Sequence, residues 1–253
     1  MRTLLEVFPP SKMKGSTAAV IYDAYSSAWQ ILFLFIKRAL ENGYFAVISN
    51  YSVPLRSLLH RCTSVGLDAE KALESSSLAI IDVFGSRYSP LRMERKNIFY
   101  LDKVEAETIN PKIDMIYCGP LRDKLKSEKA IRMIYTLDGA SLMLGEEQTL
   151  KLLNQTIAHK SIRFPESTLF LPLNADMVSK RFVAWVSNVS DYVLLAKSWI
   201  MEDHVKELLY FIKAPYADFE PVVYSLKVSR GREKIMLKKL SAPELGPPAE
   251  EKR

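Results

Sequence analysis

The sequence predicts an α/β domain with a mostly parallel central sheet. Three observations predict it. Residues 17–22 (TAAVIY), 44–49 (YFAVIS) and 78–84 (LAIIDVF) are near-continuous apolar runs rather than alternating ones, as strands buried on both faces are. Helical segments separate these runs, so consecutive strands are joined by crossovers and lie parallel. In the last third of the chain the apolar runs follow one another closely, which predicts antiparallel strands at one edge of the sheet.

The first helix is expected over residues 27–41. It is apolar on nearly all sides, and Asn42-Gly43 ends it, the glycine suiting the left-handed position after a helix. Pro54 opens a second helix that runs to Val65-Gly66. Residues 97–101 and 114–118 read as short strands or packed loops. Residues 131–137 (IRMIYTL) read as a strand that Asp138-Gly139 ends, residues 146–160 as a helix, and residues 168–172 (TLFLP) as a further strand. Residues 191–196, 208–213 and 222–228 are the closely spaced strands, the first two an antiparallel pair. One domain is expected over residues 1–240. Residues 241–253 combine prolines with alternating charges and are expected to be a disordered tail.

The chain has 253 residues, 48% of them hydrophobic, which is enough for one sizeable core and too apolar for disorder over most of its length. The formal net charge of +6 comes from scattered rather than clustered charges, as in a mildly basic soluble protein. Cys62 and Cys118 lie far apart, and His60, His159 and His204 form no metal-ligand spacing. No metal site is expected, and two isolated thiols suit a reducing cytoplasm. The most apolar stretch, residues 31–36, stops at Lys37 and Arg38 and is too short to span a bilayer. No signal peptide is expected at the N-terminus.

Several local patterns recur in a telling order. Lys14-Gly15-Ser16 leads into the strand at 17–22, and Glu41-Asn42-Gly43 closes the helix after it. Gly66-Leu67-Asp68 precedes the run that reaches Asp82. An apolar run ends in Asp138, Gly145-Glu146-Glu147 opens a helix, and residues 182–196 end in a DYVLLA strand. Over about residues 4–228 this order resembles the KaiC-like ATPases of the RecA superfamily, and archaeal members among them. The resemblance implies a three-layer RecA-like domain with a phosphate-binding loop after the first core strand. It also implies a Walker B-like, Mg²⁺-binding role for Asp138.

A working phosphate loop reads GxxxxGK[ST]. Its glycines let backbone N–H groups surround the phosphates, its lysine supplies charge, and its hydroxyl binds Mg²⁺. In that place this chain reads Asp23-Ala24-Tyr25-Ser26-Ser27-Ala28-Trp29-Gln30. Asp23 and Ala28 stand for the glycines, Trp29 for the lysine and Gln30 for the hydroxyl residue. The acidic pair that the resemblance implies after the second strand reads Asn50-Tyr51-Ser52, with no carboxylate to orient a water. Lys213-Ala214-Pro215 stands for a Lys-x-Arg-Gly pattern and keeps only its lysine.

These departures lead to the expectation of a pseudo-ATPase: no enzyme, no cofactor, and a protein- or peptide-binding or regulatory role. Homo-oligomerisation is left open, and neither nucleic acid nor membrane is expected as a partner. Two other readings stay open. One is an ATPase that binds ATP and Mg²⁺ through a non-standard loop, resting on Asp138 and on the helix start at Ser26 and Ser27. The other is a basic nucleic-acid-binding protein, resting on residues 230–234 (RGREK) and Lys238-Lys239 near Tyr224. Against the first, Ser26 or Ser27 reads as a plain N-cap and Asp138 as a turn cap. Tyr22, Tyr25, Trp29, Phe33 and Phe35 read as core at helical spacing, or as the lining of a vacated nucleotide cleft.

Overall fold

In the computed structural model, residues 2–3, 10–127, 129–228 and 235–240 are described. The expected tail at 241–253 and the basic run at 230–234 lie outside the described residues.

The strands are β1 (Arg2–Thr3), β2 (Thr17–Tyr22), β3 (Phe45–Asn50), β4 (Leu78–Asp82), β5 (Ile98–Phe99), β6 (Ala130–Tyr135), β7 (Thr168–Asn174), β8 (Tyr192–Ile200), β9 (Val205–Lys213), β10 (Val222–Val228) and β11 (Ile235–Lys239). The helices are α1 (Trp29–Glu41), α2 (Leu55–Ser64), α3 (Ala69–Glu74), α4 (Val83–Tyr88), α5 (Ile109–Cys118), α6 (Arg122–Leu125), α7 (Leu137–Leu144), α8 (Glu146–Arg163) and α9 (Lys180–Val189).

All described strands join one sheet in the order β1-β11-β10-β9-β8-β2-β7-β6-β3-β4-β5. From β8 to β5 every neighbouring pair is parallel. The pairs β8–β9, β9–β10, β10–β11 and β1–β11 are antiparallel. This is the predicted fold class: a mostly parallel sheet with antiparallel strands at the C-terminal edge.

Alternation within the strands divides the core between two faces. Ala18, Val20 and Tyr22 of β2 face a cluster that contains the apolar residues of α1, α2 and α3. Ala19 and Ile21 face the opposite side, with Leu153 of α8 and Phe182 and Val186 of α9. Residues of α5 and α6 pack on that same opposite side against β3 and β4. Both faces are therefore covered, which is why β2, β3 and β4 are buried along their whole length.

Three expected elements differ. Residues 114–118 are not a strand or loop but the second half of α5, because Ile109, Ile113 and Tyr117 form a buried stripe at four-residue spacing. The third strand stops at Asp82 rather than residue 84. The Asp82 carboxylate accepts the Gly85 N–H and starts α4. The strand expected over 131–137 ends at Tyr135. Thr136 then caps α7 by accepting the Gly139 N–H, so Asp138 lies inside the first turn of a helix rather than ending a strand.

The parallel strands deliver Tyr22, Asn50, Asp82, Tyr135 and Asn174 to one end of the sheet as their last residues. In open α/β sheets the crevice outside these carboxyl ends is where ligands sit.

Candidate functional site

The loop from Asp23 to Ala28 leaves β2 at that end and enters α1. Beside it the β8–β9 hairpin extends past the end of β2. The last paired β8 residue opposite β2 is Leu195, whereas β8 continues to Ile200. On this overhang Ser198 and Glu207 are directly paired across the two strands.

Both members of that pair grip the loop. Asp23 accepts the Ser198 N–H at 2.6 Å and the Ser198 hydroxyl as well. Glu207 accepts the Ser27 N–H through Oε1 at 2.6 Å and the Ser27 hydroxyl through Oε2 at 2.5 Å. On the other side, Asp176 Oδ2 accepts the Ala24 N–H at 2.8 Å. Within the loop, Ser26 Oγ accepts the Ala28 N–H and the Ser26 N–H is donated to the Asp23 carbonyl. The backbone donors of Ala24, Ser26, Ser27 and Ala28 are thus all engaged, two of them by carboxylates from elsewhere in the chain.

The substituted positions fit this arrangement. Ala28 takes an ordinary helical conformation and is fully buried, and no residue from 23 to 28 has a positive φ. The loop therefore makes no use of the freedom that glycine would give it. No side chain caps α1 at Ala28, its N-cap residue; Ser26 serves the Ala28 N–H itself, and Ser27 is bound to Glu207. Gln30 is buried, and its Oε1 has no hydrogen-bond partner.

Trp29, which the resemblance in sequence sets against the lysine, packs edge-on against Phe33, and Phe33 packs against Tyr135 with ring centroids 5.2 Å apart. The Arg61 guanidinium of α2 lies 5.5 Å from the Trp29 ring centroid and 5.7 Å from that of Tyr135, and it donates to the Tyr135 hydroxyl. Of the five aromatics singled out in the sequence, Tyr22, Phe33 and Phe35 are core, Trp29 is half-buried and Tyr25 is exposed.

Asp138 is buried between α7 and β7 and accepts the Asn174 N–H at 2.9 Å. Burial pushes its carboxyl above the ordinary carboxylate range, against the Asn174 bond that lowers it. Glu207 is pushed up in the same way by burial, with its two Ser27 bonds opposing. A raised carboxyl favours the fold only while protonated. Its contribution is full below the ordinary carboxylate range and is lost as pH rises through the raised value. Asp138→Asn keeps an acceptor for Asn174, so it should flatten the fall in stability as pH rises above the ordinary carboxylate range, as urea unfolding across a pH series would read. An unchanged slope would contradict the assignment.

At the neighbouring strand ends, Asn50 donates to Asp82 at 2.8 Å and to the Val53 carbonyl at 2.7 Å. Asp82 is thus a carboxylate at this end of the sheet, supplied by β4 rather than by the segment after β3. Ser52 bridges β3 and β6 by accepting the Thr136 N–H and bonding the Thr136 hydroxyl. A Cβ added at Gly139 would lie 2.9 Å from the Ser52 Cα. We expect Gly139→Ala to cost about 1–3 kcal/mol in urea unfolding by forcing these two strand ends apart. Lys213 sits at the end of β9 and donates to the Ser187 and Asn188 carbonyls at the C-terminus of α9, a capping role inside the chain.

No family model matches the sequence, and no curated protein matches it either. Solved structures do match. An uncharacterized protein of Pyrococcus horikoshii, solved in complex with an unknown peptide, superposes with a TM-score of 0.75 at 24% identity, covering 90% of this chain and 93% of its own. A KaiC-like protein of the same archaeon gives a TM-score of 0.63 at 14% identity over 89% of this chain and 90% of its own. The fold is KaiC-like. The flagellar accessory protein FlaH of Methanocaldococcus jannaschii agrees, with a TM-score of 0.60 at 10% identity over 89% of this chain and 90% of its own. At such identities the likeness to KaiC-like proteins is one of architecture.

Glu207, Asp176, Ser198 and Arg61 were not singled out by sequence reasoning. Glu207 and Ser27 are 180 positions apart, and only the pairing of Ser198 with Glu207 brings both to the loop. Asp176 and Ala24 are 152 apart. No local pattern marks any of these four. Among the described residues, no group of three His, Cys, Asp or Glu side chains is arranged to hold a metal ion.

Proposed function

We propose that this chain is a non-catalytic, nucleotide-independent module of KaiC-like fold that binds a protein or peptide partner. The carrying observation is the Glu207 carboxylate, bound to both the N–H and the hydroxyl of Ser27. A phosphate group would seek these donors in a working loop, and here a permanent part of the chain satisfies them. A triphosphate would have to displace Glu207 and Asp176, face the Asp23 carboxylate, and do so without the lysine. Each lost charge-assisted bond costs about 1.5–3 kcal/mol, so the residues do not fit the nucleotide of the working ATPases. The KaiC-like fold alone carries no activity once its site has changed.

A protein or peptide partner is favoured because a neighbour in architecture, an uncharacterized protein of Pyrococcus horikoshii, was solved in complex with an unknown peptide. No described helix is long and apolar enough to cross a membrane. The test is selection of peptides from a displayed random library on the immobilised full chain, with affinities checked by calorimetry. Enrichment of a shared motif that binds in solution supports the reading; selection that enriches nothing contradicts it.

A further inference from the structure

A trough runs along the sheet edge opposite the hairpin, outside the carboxyl end of β4. One cavity of about 360 Å³ lies between the start of α2 and the segment 82–93, and a second of about 520 Å³ continues along residues 92–100. They share Met93 and Tyr100, so the two form one continuous groove beside β5, the last strand of the sheet.

The groove has an apolar floor and a basic rim. Phe84, Met93 and Tyr100 line it, and Tyr88 and Leu91 stand at its lip 56% and 83% exposed. An exposed leucine and tyrosine beside a formed groove are the usual marks of a contact surface. Arg56, Arg92 and Lys96 surround it without a carboxylate partner among the described residues, whereas Arg95 is paired with Glu70. Glu94 is the one carboxylate on the rim, and Asp82 lies at the bottom with Oδ1 held by Asn50 and Gly85. Arg92 is fixed in place: it donates to the Leu101 carbonyl at 3.0 Å and lies over the Tyr100 ring, 5.5 Å from its centroid.

We propose that this groove binds an extended acidic peptide, its apolar side chains seated between Leu91, Tyr88 and Met93 and its carboxylates on Arg56, Arg92 and Lys96. This rests on the peptide-binding reading above and places that activity away from the closed loop. The charge of the rim selects an acidic partner. The apolar lip and floor favour a peptide over a nucleic acid, because the aliphatic Leu91 and Met93 give a base no ring to stack on. Arg92 lies over one face of Tyr100, and Phe84 packs against Tyr88 at 4.9 Å.

The test is fluorescence anisotropy on the full chain with a labelled peptide of alternating aspartate and leucine. Probes of alternating lysine and leucine, and of oligothymidylate, serve as comparators. Leu91→Asp, and Arg56→Glu combined with Arg92→Glu, should each weaken the acidic probe by about tenfold or more. Ile162→Asp, at another exposed apolar residue on α8, should leave it unchanged. The proposal is overturned if the acidic probe does not bind, if the rim and lip variants bind it as well as the native chain, or if lysine peptide or oligothymidylate binds as tightly. Library-selected peptides that bind Leu91→Asp unchanged would remove the groove and leave the peptide-binding function standing; a library that enriches nothing removes the function itself.

Discussion

Phe33→Ala should destabilise the chain by about 3–5 kcal/mol, the loss typical of a buried aromatic whose cavity cannot collapse. Phe33 is fully buried in α1 and joins Trp29 to Tyr135 beneath the loop. Its ring fills the space between Trp29 and Tyr135, and its loss leaves a cavity there. Urea unfolding measures the loss. A change below about 1 kcal/mol would mean that the aromatic stack does not hold the loop's floor.

Glu207→Ala should cost about 2–3 kcal/mol, because it strips partners from the N–H and the hydroxyl of Ser27 in a part-buried setting. The cost is tempered by release of a carboxyl that burial has already pushed up. Glu207→Gln keeps an acceptor for Ser27 and should cost less than half as much. The alanine variant has a second consequence. With the strap gone, the Ser27 donors at the start of α1 are free, and inorganic phosphate should raise the melting temperature of the variant while leaving the native chain unmoved. Equal phosphate responses in the two proteins would mean that Glu207 does not fill the anion-binding position.

Much of the fold was legible because the central strands are buried on both faces, and burial writes itself as runs such as TAAVIY and LAIID. The antiparallel edge was legible from the short spacing between β8, β9 and β10. The errors came where a short apolar run has no period of its own. MIYC at 115–118 is the end of a helical stripe that begins at Ile109, and the stripe shows only when its four-residue spacing is followed across Pro111. VF at 83–84 looked like strand because Asp82, which ends β4 by capping, sits inside the run.

At the loop, the sequence shows residue by residue how Asp23, Ala28, Trp29 and Gln30 depart from the GxxxxGK[ST] pattern. It does not show what the loop's donors bind. Glu207 is one of three charged residues in β9, next to Lys206, and nothing near it in sequence points to Ser27. Its role follows from the β8–β9 register and the length by which that hairpin overhangs β2. Asp138 was singled out as the end of a strand, and its position within α7 follows from the Thr136 cap, which no apolar pattern displays. In each case the missing information is long-range pairing, which a single sequence does not contain.

The claim that the chain's own carboxylates close the loop to nucleotide is tested most directly by thermal melting of the full chain with and without millimolar ATP and Mg²⁺. A ligand that binds only the native state must raise its melting temperature. The account predicts no change for the native chain, and none for Trp29→Lys, because the added lysine leaves Glu207 on Ser27. A rise of several degrees in the native chain would contradict it.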